Sequence, residues 1–221
     1  MVTEPGVYNW SPAGLVRGGA AVLAATAAVT FAAPASAQGA DDSAIGVKAQ
    51  AGGRWDRVRM CIATPPGTEG GPAFDIVVFA EKGIGHGASF IVDLPVMRPV
   101  LFGVAFDMLQ LEPVMGLNFR DEIGEDLDLI AGPRLGATLH YGPDYRSGDS
   151  GDERLPSFFA MGPRFGAYLG LDFVRPAEVF NFQLGLHPYL SPMWAIDDPD
   201  DHRGTVVGAM AEGAFRFSVF E

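Results

Sequence analysis

The feature that most constrains the fold is a strict alternation of side-chain types over the whole of residues 157–173, SFFAMGPRFGAYLGLDF. Every second position carries an uncharged apolar residue: Phe159, Met161, Pro163, Phe165, Ala167, Leu169, Leu171 and Phe173. The residues between them are small, aromatic or charged. Because side chains alternate between the two faces of a β-strand, this stretch predicts one long strand with an oily face and a polar face.

The same alternation occurs in three other long segments, 127–141, 180–190 and 205–219, and more weakly at 109–119 and 47–54. Segments 73–82, 86–95 and 98–106 also favour strands, less cleanly. Breaks rich in Gly, Pro, Asp and Ser separate the segments, as PPGTEGGP, RDEIGED and DDPDDHRG illustrate. Helical periodicity is convincing nowhere, so the sequence predicts an all-β protein.

The composition of the two faces decides between a soluble barrel and a membrane barrel. The apolar face runs for longer than the five or six residues of an ordinary strand. The opposite face mixes Gly and Ala with Arg, Asp, Glu, His and Tyr, as a narrow lumen requires. We therefore predict a closed antiparallel up-and-down transmembrane β-barrel, in which no strand edge is left unpaired in hydrocarbon.

The number of strands must be even if both termini of the barrel lie on the same side of the membrane. Nine segments favour strands, so one of them is not part of the wall. We predict eight strands, with 73–82 folded into a long first loop, and ten strands is the alternative.

The N-terminal region predicts export. Arg17 precedes the alanine-rich apolar run 18–33, and Ala35, Ser36 and Ala37 supply the small residues of a cleavage site. This divides the chain into a signal peptide, 1–37, and a barrel domain, 38–221. The net charge of -12 argues against nucleic acid as a partner, and the single cysteine, Cys61, excludes an internal disulfide.

With this leader, these alternating strands and a last strand that ends in FRFSVF, the chain resembles the small outer-membrane β-barrels of Gram-negative bacteria. The resemblance covers nearly all of residues 45–220. It implies location in the outer membrane, with outer-membrane lipid and the barrel insertion machinery as partners. That machinery usually recognises a terminal aromatic residue, whereas here Phe220 is followed by Glu221.

The motif GPRLGA at 132–137 recurs as GPRFGA at 162–167, on strands predicted to form one hairpin. With the hairpin centred near residue 149, Arg134 and Arg164 would face each other inside the lumen. Two buried like charges need carboxylate partners. We therefore predict a lumen charge network formed by Glu112, Asp128, Arg134, Arg164, Asp172, His187, Glu212 and Arg216.

The predicted function is a structural or surface-interaction role for a barrel whose lumen is largely plugged, without a cofactor. One alternative is a narrow porin-like pore for small polar solutes. Another is a lipid-directed hydrolase, in which a register pairing 187 with 212 would place Glu212 beside His187, with Ser191 as the nucleophile. A soluble periplasmic lipocalin-like binding barrel is the third.

Two acidic outer loops raise the further hypothesis of a divalent-cation site, because carboxylate oxygens are the ligands that calcium prefers. The spacing of these residues matches no EF-hand loop, so a solvated acidic surface is the simpler interpretation. The residues are Asp144, Asp149, Asp152, Glu153, Asp197, Asp198, Asp200 and Asp201.

Overall fold

The computed structural model describes residues 43–55, 71–106, 109–143, 157–173, 180–196 and 202–219. The predicted signal peptide and both acidic loops lie outside these ranges. The elements within them are β1 (Ser43–Trp55), β2 (Gly71–Gly85), β3 (Ala88–Pro95), α1 (Met97–Phe106), β4 (Leu109–Leu111), β5 (Val114–Gly124), β6 (Leu127–Pro143), β7 (Ser157–Phe173), β8 (Phe180–Ala195) and β9 (His202–Val219).

The strands form one closed antiparallel barrel. β1 pairs with both β2 and β9, and the barrel continues through β3, β5, β6, β7 and β8 back to β9. Eight strands build the wall, and the three-residue β4 pairs with β6 next to the first residue of β5, on the loop side. The predicted fold, a closed up-and-down barrel of eight strands, is confirmed.

The two ends of the barrel differ. The described termini, Ser43 and Val219, lie at one end together with the short connections from β2 to β3 and from β5 to β6, and we call this the terminal end. The other end, where β1, β6 and β8 finish, is called the loop end.

The alternation in the sequence separates the outside of the wall from its inside. The apolar set points outward, with Leu135 54%, Leu169 47% and Phe215 50% exposed. The opposite set points into the lumen and is buried. Ile130, which interrupts the alternation, lies on the lumen side and is fully buried.

Prolines inside strands are accommodated by local interruptions of one neighbouring ladder. Pro133 lies where the pairing of β5 with β6 skips from Gly116 to Phe119, although its pairing with Ala167 on the other side is regular. The β7–β8 pairing likewise skips the levels of Pro163 and Pro188, and Pro113 lies between β4 and β5. A residue without an N–H can therefore stay in a barrel strand by giving up bonds on one side only.

Aromatic side chains pack over glycines on the inner face of the wall. Gly170 and Gly185 are directly paired across β7 and β8, and a Cβ at either position would overlap the ring of Tyr168. These two glycines let the phenol ring lie flat against the backbone of the wall.

Segment 73–82 does not belong to a long first loop, because it forms the middle of wall strand β2. The alternation is hidden there because Val77 and Phe79, which point inward, are as apolar as Phe74 and Val78, which point outward. Phe79 is buried with Ile91 and Ala214 in a small apolar cluster inside the barrel. The eight-strand prediction was correct, but it left the wrong segment out of the wall.

The segment that is not a wall strand is 98–106, which was predicted as a strand and is helix α1. Its apolar residues follow one another without alternation, and Pro99 lies in the first turn of the helix, where its missing N–H removes no helical hydrogen bond. No helix in the described part of the chain is long and apolar enough to cross a membrane.

Candidate functional site

The lumen is the candidate site, because the buried charges of the barrel are concentrated there. The buried acidic residues are Asp75, Glu81, Asp93, Glu112, Asp128, Asp172 and Glu212, and the buried basic ones are Lys48, Arg54, Arg98, Arg134, Arg164 and Arg216. Arg120, which is partly buried, reaches the same network. Seven acidic side chains therefore face seven basic ones, and the described lumen is neutral although the chain as a whole carries -12.

At the loop end, Glu112 is the centre of a cluster of cations. Arg164 Nη1 lies 2.6 Å from Glu112 Oε2, Arg54 Nη1 lies 3.3 Å from Oε1, and Arg98 Nη2 lies 3.4 Å from Oε2. His140 Nε2 is 3.6 Å from Oε1. The side chain of Glu112 is 1% exposed, so its charge is balanced almost entirely by protein groups.

Two further contacts complete this loop-end cluster. Arg98 also binds Asp75, through Nε at 2.8 Å and through its backbone N–H at 3.1 Å. The guanidinium of Arg164 stacks on the ring of Tyr189 at 3.6 Å from its centroid, a cation–π contact that is strengthened by the exclusion of water.

A second cluster, at the centre of the barrel, is built around Lys48 and Glu212. Lys48 Nζ lies 2.7 Å from Asp93 Oδ2 and 3.3 Å from Glu212 Oε2. The other oxygen of Glu212 accepts a hydrogen bond from Gln50 at 2.7 Å and lies 3.1 Å from Nδ1 of His187. The carboxylate of Glu212 is therefore held by two groups from β1 and one from β8.

The third cluster lies towards the terminal end and is centred on Glu81. Arg120 Nη2 lies 2.7 Å from Glu81 Oε1, and Arg216 Nε lies 3.0 Å from Oε2. Asn118 donates to the same carboxylate at 3.0 Å, and the hydroxyl of Ser89 also donates to it. Asp172 joins the cluster through Arg120 Nε at 3.5 Å, so cations and carboxylates alternate across the lumen here as well.

Arg134 has a different environment from Arg164. Among the described residues its hydrogen-bond acceptors are the carbonyl of Leu117 at 2.7 Å, the carbonyl of Pro133 at 3.1 Å and the side chain of Asn118. Leu117 lies in the ladder interruption opposite Pro133. The guanidinium therefore supplies a hydrogen bond to a carbonyl that the proline cannot serve, which is a structural use of a lumen arginine.

The register of the β6–β7 hairpin differs from the predicted one by two residues. Arg134 pairs with Gly166, and Arg164 pairs with Gly136, so the two arginines do not face each other. A shift of two residues keeps both side chains on the lumen face. Each arginine lies opposite a glycine, which leaves room for its long side chain.

Every residue of the predicted lumen network is buried inside the barrel. Glu112 meets Arg164, Glu212 meets His187, and Arg216 meets Glu81 rather than a predicted partner. Asp128 and Asp172 are directly opposite each other on β6 and β7. The structure thus divides most of the predicted residues among three separate clusters.

The proposed hydrolase residues do not form a catalytic triad in this structure. His187 pairs with Met210 rather than with residue 212, although its ring still reaches the carboxylate of Glu212 diagonally. The hydroxyl of Ser191 donates to the carbonyl of Pro163 at 2.9 Å. Nε2 of His187 has no hydrogen-bond partner among the described residues, and a nucleophilic serine would need that nitrogen as its base.

Several network residues were not predicted, among them Asp75, Glu81, Asp93 and Arg98. Asp75 and Glu81 share the inward parity of β2, which a strand assignment for 73–82 would have shown. Arg98 carries no such signal, because its position depends on helix α1. Within the described ranges, no group of three or more His, Cys, Asp or Glu residues could hold a metal ion, and the hypothetical cation site of the acidic loops lies outside those ranges.

Comparison with known proteins supports the fold. No protein-family model matches the chain, and no curated protein sequence matches it. The fold is similar to that in the crystal structure of Neisserial surface protein A (NspA), with a TM-score of 0.52 and 12% sequence identity, over 83% of this chain and 99% of that one. NspA is an outer-membrane barrel of eight strands, and the prediction of a small outer-membrane β-barrel is confirmed at the level of the fold.

Proposed function

We propose that this chain is an outer-membrane barrel with a structural or surface-interaction role, and that its lumen is plugged by ion pairs. The observation that carries the proposal is the neutral lumen, in which Glu112, Glu212 and Glu81 each bind two or more donors at three successive levels. An eight-stranded barrel is just wide enough for its interior to be filled by side chains.

The outer face supports placement in a membrane. Large apolar residues such as Leu135, Leu169 and Phe215 are exposed on the outer face of the wall. A soluble protein would carry a mixture of polar and charged residues on such a face. Trp55 and Tyr141 are exposed at the loop end, as expected for aromatic residues at a membrane interface. Bacterial outer-membrane barrels have their short turns in the periplasm. With the short connections of the terminal end placed there, the loop end faces the exterior of the cell.

The height of the wall supports a role at the surface. β6 has 17 residues, and a rise of about 3.3 Å per residue with a tilt of about 40° gives a height of about 43 Å. The apolar band of such barrels is only about 25 Å tall. Part of the wall therefore extends beyond the hydrocarbon core of the membrane.

Single-channel recording in planar bilayers tests the plugged lumen. Protein that shows the mobility shift of a folded barrel on unheated gels, and that floats with lipid vesicles, is expected to give no resolved conductance steps. Arg164→Ala is the matched variant, because it removes one contact of Glu112 and one side chain from the lumen. Resolved steps in the unmodified protein whose size changes in Arg164→Ala would contradict the plugged lumen and support the porin-like alternative.

A further inference from the structure

Three acidic residues are directly paired across neighbouring strands at the terminal end of the barrel. Glu122 on β5 pairs with Asp128 on β6, and Asp128 pairs with Asp172 on β7. Glu122 is exposed, whereas Asp128 and Asp172 are 3% and 1% exposed on the lumen side. Like charges that lie directly opposite each other on neighbouring strands are destabilising. The two buried aspartates therefore need a compensating positive charge.

The arginines of the terminal-end cluster supply only part of this charge. Arg120 lies 2.7 Å from Glu81 through Nη2 and 3.5 Å from Asp172 through Nε, and Arg216 lies 3.0 Å from Glu81. Among the described residues, two guanidinium groups therefore face the three buried carboxylates of Glu81, Asp128 and Asp172. One negative charge is left without a partner at this end of the lumen.

The unpaired charge coincides with carboxylate oxygens that accept no hydrogen bond. Oδ1 of Asp172 has no partner among the described residues, because Arg120 and Gln183 both contact its other oxygen. Within the same ranges, the carboxylate of Asp128 accepts no hydrogen bond and forms no ion pair. Burying a carboxylate without a donor or a cation is costly. Two such groups side by side point to a cation that binds both.

A metal ion between the two aspartates needs no cavity beyond the space that separates their side chains. Ca²⁺ binds oxygen at about 2.3–2.6 Å and Mg²⁺ at about 2.0–2.1 Å, so one ion can bridge oxygens that are up to about 5 Å apart. The Cβ atoms of directly paired residues lie about 4.5–5.5 Å apart. The described residues form no site with three or more ligating side chains, but Mg²⁺ is commonly held by one or two carboxylates and several waters.

We propose that Asp128 and Asp172 bind a hard divalent cation, Mg²⁺ or Ca²⁺, at the terminal-end mouth of the lumen. The ion bridges one oxygen of Asp128 and Oδ1 of Asp172, and water from the mouth completes its coordination. Asp128 is the second residue of β6 and follows an exposed turn, which gives the ion and its waters access. The exposed carboxylate of Glu122 raises the local concentration of cations. This site does not depend on what covers the outer face of the wall.

Binding of the metal alone tests the site. MgCl₂ or CaCl₂ is titrated calorimetrically into the full barrel, which is folded in zwitterionic detergent and freed of metal with EDTA. We expect a saturable site that Asp128→Asn weakens at least about tenfold, because one of two charged ligands is lost. Asp126→Asn is the matched control, since it makes the same change at an exposed residue of the adjacent turn, and it should leave this binding unchanged. Absence of saturable binding, or equal binding to the unmodified protein and Asp128→Asn, would overturn the proposal.

Urea unfolding in zwitterionic lipid vesicles gives a second readout, in which the sign of the effect is diagnostic. Without divalent ions, Asp128→Asn removes a repelling charge, so its unfolding midpoint should be no lower than that of the unmodified protein. Saturating Mg²⁺ or Ca²⁺ should raise the midpoint of the unmodified protein but not that of Asp128→Asn. Asp172→Asn should also abolish the rise, whatever the loss of its contact with Arg120 costs. An equal rise in all three proteins at matched ionic strength would show an effect elsewhere and refute the site.

Discussion

Replacing Glu112 with Gln should destabilise the barrel strongly, because three arginines converge on this one carboxylate. The substitution keeps the size of the side chain and one acceptor oxygen, but it removes a negative charge that lies within 3.4 Å of Arg54, Arg98 and Arg164. Among the described residues, Asp75 is then the carboxylate that remains in the loop-end cluster. The substitution adds one positive charge to the net charge of the cluster.

The size of the effect follows from burial. Removing one partner of a buried ion pair costs about 3–5 kcal/mol, since the remaining charge is left without compensation and without water. We expect the lower end of this range, about 3 kcal/mol, because Arg98 retains Asp75 and the glutamine oxygen still accepts one hydrogen bond. Glu122→Gln is the matched control, because that glutamate is exposed at the end of β5 and should change stability by less than about 0.5 kcal/mol.

The free energy of unfolding of both variants is measured by equilibrium unfolding in urea. The barrel is refolded in lipid vesicles, and its unfolding is followed by the gel mobility shift. The double variant Glu112→Gln with Arg164→Gln restores the charge of the cluster and should recover part of the lost stability. An effect of Glu112→Gln no larger than that of Glu122→Gln would refute the view that the lumen is held together by its ion pairs.

Two other substitutions test the wall and the hydrolase alternative. Gly185→Ala places a methyl group against the ring of Tyr168 and should lower the free energy of unfolding by about 1–3 kcal/mol in the same urea assay. At the control position, Gly213, the nearest atom to an added Cβ is 3.7 Å away, so Gly213→Ala should be nearly neutral. Equal effects of the two substitutions would contradict the close packing at Gly185. Ser191→Ala leaves the carbonyl of Pro163 without its donor and should lower stability by about 1–3 kcal/mol, while fatty-acid release from labelled phospholipid should be absent in both proteins. Fatty-acid release by the unmodified protein that is lost in Ser191→Ala would support the hydrolase alternative.

The alternation of side chains was sufficient to predict the faces of the strands. It placed Arg134, Arg164 and Glu212 inside the barrel because inward parity depends only on local sequence. It could not predict register, because a shift of two residues leaves every side chain on the same face. For that reason the predicted strand pairings of Arg134 and His187 were wrong, although both side chains lie on the lumen face and His187 still contacts Glu212.

Other features depend on contacts that no local pattern shows. Val77 and Phe79 are apolar but point inward, so the sequence of β2 does not alternate. Phe79 packs on Ile91 and Ala214 inside the closed barrel, a contact that the local sequence does not show. Arg134 and Ser191 bind backbone carbonyls at proline interruptions, and those carbonyls become available only once the ladders have formed. Helix α1 occupies the wall beyond β3 because β3 ends at Pro95, half-way along the wall.

The central claim, that the outer face of the wall meets lipid, is tested most directly by an arginine at two positions that are equally exposed. Leu135, at the middle of β6, is 54% exposed, and Ile123, beside the turn at the terminal end, is 53% exposed. In lipid vesicles, Leu135→Arg should lower the free energy of unfolding by about 2–4 kcal/mol and Ile123→Arg by at most about 1 kcal/mol. Equal and small effects at the two positions would mean that water covers the middle of the wall, and would contradict the membrane barrel.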